Sequence, residues 1–168
     1  MTRQPSNDLS AKPVTVIQLN CNKKGYTIHA LLNEHWHDTD ILLLQEPRWG
    51  HIGTNIQGND IKGLIRHSSW IPILPYTAFN PDDHQPHVMV YHQKHPGLEI
   101  ALCSDIVWDS DIQIIDVLYP GQLTTTIINI YNDLSHQSKS ATSILQTLEL
   151  LTNRLVIITG DWNLHYAM

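Results

Sequence analysis

The sequence predicts an α/β fold whose first two strands run parallel and whose middle is antiparallel. Two observations predict it. Near the start, two apolar runs of strand length flank a stretch with helical spacing; in the middle, short apolar runs alternate with Pro, Gly, Asp and Asn clusters. The chain has 168 residues, which bounds it to one domain at most. A hydrophobic content of 42% against 15% charged residues makes it globular rather than disordered.

Residues 1–12 read as a polar leader, and 13–168 as the folded domain. Val14-Thr15-Val16-Ile17-Gln18-Leu19-Asn20 is a β-branched run and so a strand. From Tyr26 to Trp36, apolar residues at 28, 31, 32 and 36 set one helical stripe inward, and His37-Asp38-Thr39-Asp40 closes the helix. Ile41–Gln45 returns as a strand buried on both faces, parallel to the first because a crossover helix joins them. Runs at 63–67, 87–92, 98–103, 112–118 and 123–131 predict successive antiparallel strands. The segment 72–87, with four prolines, predicts a mobile loop. Ile144, Leu145, Leu148 and Leu151 give a helix over 140–151, and Leu155–Thr159 is a further buried strand.

Several classes are excluded at this level. No apolar run reaches the roughly 18 residues a membrane span needs, and the first ten residues lack an apolar signal core. An intracellular protein is therefore expected, with no membrane partner. Two cysteines in unrelated contexts, Cys21 and Cys103, argue against a disulfide framework or a Cys-based zinc site. A net charge of -6 argues against a general nucleic-acid coating protein. It leaves room for an enzyme of phosphodiesters, because a bound cation reverses the local sign of an acidic site.

The polar residues that end the strands carry the chemistry. One run ends Gln18-Leu19-Asn20-Cys21-Asn22, another Leu44-Gln45-Glu46, a third Asn129-Ile130-Tyr131-Asn132-Asp133, and the last Thr159-Gly160-Asp161-Trp162-Asn163. In open α/β layers, ligand groups collect at the carboxyl ends of strands. Oxygen donors converging on one rim suit a hard cation such as Mg2+. Each element has a plainer reading too: Asn, Glu or Asp after a strand is a turn former or cap, and Tyr131 a half-buried strand residue. The ordered set, each member after an apolar run, favours a site.

Gln18-Leu19-Asn20-Cys21-Asn22, Leu44-Gln45-Glu46-Pro47, Ile128-Asn129-Ile130-Tyr131 and Gly160-Asp161-Trp162-Asn163-Leu164-His165 resemble, in order, motifs of the endonuclease/exonuclease/phosphatase superfamily. Their wording is closest to the endonuclease domain of LINE-type (non-LTR) retrotransposons. The resemblance implies a four-layer, DNase I-like α/β sandwich and an Mg2+- or Mn2+-dependent endonuclease acting on DNA. It implies Glu46 as metal ligand supported by Asn20 and Asn22, Asp161 as the group that orients or deprotonates water, and Asn163 and Tyr131 as phosphate contacts. It also implies a monomer or a part of a larger reverse-transcriptase polyprotein. Arg48 and Trp49 follow Glu46 as candidate substrate contacts, and Lys23 and Lys24 either meet a DNA backbone or begin a solvated helix.

The superfamily pattern continues into further strands and a Ser-Asp-His run that this sequence lacks. The chain is therefore expected to be a C-terminally truncated copy. Two alternatives stay open beside the nuclease: an inactive relic, and a superfamily phosphatase acting on a non-nucleic-acid phosphoester. The eleven histidines, including the pairs His84/His87 and His92/His95, are expected to be solvated or hydrogen-bonded rather than zinc ligands.

Overall fold

In the computed structural model the residues described are 13–35, 37–75, 85–94, 97–104, 106, 109–119, 122–132 and 155–163. The polar leader, the helix expected over 140–151, and Trp36, His84, His95 and His165 lie outside them, as does most of the Pro-rich segment.

β1 (Val16–Asn20) and β2 (Ile41–Gln45) pair in parallel across α1 (Gly25–Glu34). The helix buries Ile28, Leu31 and Leu32, the stripe its spacing predicted. All five residues of β2 are buried. A hairpin follows, β3 (Gly50–Thr54) with β4 (Asp60–Gly63), and then β5 (Trp70–Ile73) and β6 (Val88–Gln93). The second half supplies β7 (Glu99–Leu102), β8 (Ile112–Leu118), β9 (Thr125–Tyr131) and β10 (Leu155–Asp161).

These strands form two four-stranded sheets of the same design, ordered β1-β2-β6-β5 and β10-β9-β8-β7. In each, a parallel pair at one side is continued by antiparallel strands. The sheets face each other across a core of Ile41, Leu43, Val90, Ile115, Val117 and Ile127. A second cluster, with Leu42, Leu44, Met89 and Tyr91, joins the first sheet to α1, and a third lies on the outer face of the second sheet. Side chains two apart share a face of a strand, so the inward face of β2 reads Ile41, Leu43, Gln45 and that of β9 reads Ile127, Asn129, Tyr131. Toward the strand ends the space between the sheets thus passes from aliphatic to amide to ionisable.

The amide level is a bonded layer. Gln18 donates to Gln45, Gln45 Nε2 donates to Asn129 Oδ1, and Asn129 Nδ2 reaches the carbonyls of Leu44 and Met89. Gln45 and Asn129 are fully buried, and polar groups so placed persist only when paired.

Three expectations are corrected. The run 63–67 is not a strand of its own: Gly63 ends β4, and Leu64 and Ile65 pack on the α1 cluster from a connecting segment. The Pro-rich segment instead begins with β5, whose Pro72 is accommodated because β5 is an edge strand. Finally, β10 is half exposed rather than buried, with Leu155 at 58% and Ile157 at 44%, because it too is an edge of its sheet.

Candidate active site

The two parallel pairs bring their ends to one rim. Asn20 is the register partner of Gln45, and Tyr131 that of Asp161. Asn20 stands between the sheets. Its Nδ2 lies 3.1 Å from Glu46 Oε2 and 2.6 Å from Asp161 Oδ2, so a single amide group donates to carboxylates from opposite sheets. Its Oδ1 accepts the Asn22 backbone N–H at 2.7 Å, which fixes the orientation of the amide. Asp161 Oδ1 accepts from the Asn163 N–H at 3.1 Å, leaving Oδ2 to Asn20.

Backbone strain gathers at the same place. Among the described residues, the non-glycine positions with positive φ are Asn22 (47°), Lys23 (55°), Glu46 (45°) and Asn163 (44°). Asn adopts this region readily; Glu and Lys do so at a cost that persists where the surroundings over-determine the backbone. At Glu46 the effect is legible. Gln45 points between the sheets, strict alternation would turn the next side chain away, and the left-handed residue returns the Glu46 carboxylate to the rim. Gly160 is fixed by a close approach: with φ +151°, a Cβ there would lie 2.0 Å from the Ile130 carbonyl oxygen.

Neither Glu46 nor Asp161 forms a salt bridge among the described residues. Two carboxylates facing one neutral amide leave negative charge that a hard cation would neutralise, and the donor types suit Mg2+ with water or phosphate completing its shell. No cluster of three or more His, Cys, Asp or Glu is found among the described residues, and among them the charged oxygen donors at this rim are the carboxylates of Glu46 and Asp161. Cys21 is buried beside the rim, and burial, with the Glu46 charge adding to it, pushes its thiol up to about 12, which disfavours the thiolate.

The remaining sequence candidates are placed unevenly. Asn163 Nδ2 donates to the Asn132 carbonyl at 2.9 Å, and Asn132 Nδ2 to the Trp162 carbonyl at 2.9 Å, which laces the end of β10 to that of β9. Asn22 has an exposed side chain and meets the site through its backbone. Arg48 is exposed and lines an open groove of about 950 Å³ with Tyr26, His29, His51 and Arg66. Trp49 is half buried, and Lys23 and Lys24 are exposed.

His87 is hydrogen-bonded, as expected of the histidines, but sequence reasoning gave neither it nor Asp111 a place at the site. His87 Nδ1 lies 2.5 Å from Asp111 Oδ1, and its ring meets that of Tyr131 edge-on, with centroids 5.5 Å apart. The two residues are 24 positions apart, so no local pattern joins them.

No protein-family model matches the chain, and no curated protein does. Among the described residues, no helix is long and apolar enough to cross a membrane. Among solved structures, the chain is similar to the endonuclease domain of TRAS1, a telomere-specific non-LTR retrotransposon. The TM-score is 0.60 at 15% identity, over 92% of this chain and 61% of that one. The chain thus spans less than two thirds of that domain's length. What the likeness establishes is the fold: a mixed α/β arrangement of facing sheets shared with a retrotransposon endonuclease domain.

Proposed function

We propose that the chain is a metal-dependent phosphodiesterase of endonuclease type that hydrolyses DNA, built on the four-layer superfamily plan. The observation that carries this reading is the Asn20 bridge, which holds Glu46 and Asp161 from opposite sheets around one amide. The fold shared with a retrotransposon endonuclease domain supports it, as does an arginine-bearing groove beginning two residues after Glu46.

Glu46, with Asn20 beside it, would hold Mg2+ or Mn2+; when bound, the cation supplies charge neutralisation at the non-bridging phosphate oxygens. The chain's own residues do the rest. Asp161, held by Asn20 and by the Asn163 N–H, orients the attacking water and accepts its proton. Asn163 has one amide hydrogen on the Asn132 carbonyl and a second to give to phosphate. Tyr131 adds a neutral donor that does not repel the substrate. Arg48 and Arg66 meet the flanking backbone from the groove.

The test is incubation of the purified chain with supercoiled plasmid and Mg2+, beside a phosphoinositide substrate. Nicked circles that EDTA prevents are the expected result. Phosphate release from the lipid without nicking would move the chain to the phosphatase alternative. A folded sample inert on both would contradict the proposal and favour the relic.

A further inference from the structure

The contacts at the rim form a closed circuit. Asn20 joins Glu46 to Asp161, Asp161 is the register partner of Tyr131, and Tyr131 meets the ring of His87. His87 in turn gives its backbone carbonyl to the Glu46 N–H at 2.8 Å. It is therefore the member that closes the circuit, although no sequence motif includes it.

Its ring is firmly held. The bond between His87 Nδ1 and Asp111 Oδ1 sets the ring plane. Asp111 is itself anchored, its side chain only 8% exposed. Its N–H donates to Asp109 Oδ1 at 2.8 Å, and its carbonyl accepts the Tyr131 N–H at 2.8 Å. The pair thus grips Tyr131 twice, at the backbone through Asp111 and at the ring through His87. The interplanar angle of 68° is the edge-on geometry that aromatic rings prefer.

We propose that His87, braced by Asp111, is a positioning residue that fixes the Tyr131 ring at the rim. The inference rests on the phosphodiesterase reading for its functional consequence. A phenol meant to meet a phosphate at the moment of bond breaking has to be placed within a fraction of an ångström, and the His87 ring removes the rotation that would displace it.

The test compares two double variants that both remove the hydrogen-bonded pair, so that neither leaves Asp111 as a stranded carboxylate. His87→Ala/Asp111→Asn deletes the ring; His87→Phe/Asp111→Asn keeps one. The first readout is the fluorine resonance of Tyr131 in fluorotyrosine-labelled protein, assigned with Tyr131→Phe. It is expected to shift and sharpen, as ring motion is freed, in the Ala variant and to return toward wild type in the Phe variant. The second readout is nicking: kcat is expected to fall roughly 10- to 100-fold in the Ala variant with KM little changed, and to recover in the Phe variant. Adding Tyr131→Phe to the Ala variant is expected to cost nothing further. A resonance unmoved by loss of the ring would overturn the inference whatever the activity. Nicking lost equally in both variants would overturn it as well, by making the imidazole itself the working group. A chain that never nicks, but whose Tyr131 resonance follows the ring, would refute the phosphodiesterase reading and leave the brace standing.

Discussion

Asp161→Asn is expected to lower the nicking rate by about 10³-fold while leaving the fold intact, the range removal of a proton-accepting group spans. The amide is isosteric but keeps a single acceptor oxygen, so it retains one of the two bonds, to the Asn163 N–H or to Asn20 Nδ2, while the Asn132 bond to the Trp162 carbonyl still laces β10 to β9. What disappears is the negative charge and the capacity to take a proton from water. Steady-state nicking together with a urea unfolding curve checks both halves, with a stability change under about 1 kcal/mol expected. An active Asp161→Asn chain would reduce Asp161 to a turn former, the plainer reading of Gly160-Asp161-Trp162-Asn163.

The largest stability effect is expected at Asn129. Its side chain accepts from Gln45 Nε2 and donates toward the carbonyls of Leu44 and Met89, all with no exposure of Asn129 itself. Asn129→Ala leaves a buried Gln45 donor without its acceptor and opens a void between the sheets. The expected loss is about 3 kcal/mol, since an orphaned buried polar group alone costs about 1–3 kcal/mol. For a chain of this size that lowers Tm by roughly 6–12 °C, which differential scanning calorimetry would read. A loss below about 1 kcal/mol would mean that the amide layer is incidental to the fold rather than the floor beneath the rim.

Residues with a strong local pattern were legible. Leu42-Leu43-Leu44 announces a buried strand, Ile28, Leu31 and Leu32 announce the buried stripe of α1, and the crossover between β1 and β2 follows from their order. The hairpin β3–β4 was illegible because its strands are short, Gly-containing and largely exposed, with no apolar alternation to detect. β5 was hidden by Pro72, which counts against a strand unless the strand is known to be an edge. β10 carries the apolar content of a central strand, and only the sheet order reveals its exposure.

The site divides the same way. Glu46, Asn20 and Asp161 follow apolar runs, so position at the strand ends was readable from sequence and their meeting across Asn20 is a fact of tertiary structure. Asn22 was read as a side-chain participant, whereas the turn at Asn22 and Lys23 employs its backbone. His87 stands just before β6 and pairs with Asp111, just before β8 of the other sheet, so the partner lies far away in sequence. A fainter sign was available for the amide layer: Gln45 and Asn129 interrupt the inward faces of otherwise apolar strands, and a buried amide in such a place calls for a partner.

The metal-site reading places a divalent cation at Glu46, which Asn20 holds beside Asp161. It is tested most directly by titrating the chain with Mn2+ and following free Mn2+ by electron paramagnetic resonance, for the wild type and for Glu46→Gln. The account predicts one saturable site in the wild type, competed by Mg2+, whose affinity falls by at least about 10-fold in Glu46→Gln, the scale of losing a charged ligand. Mn2+ binding of equal strength in both proteins, or none in a folded wild-type chain, would contradict it.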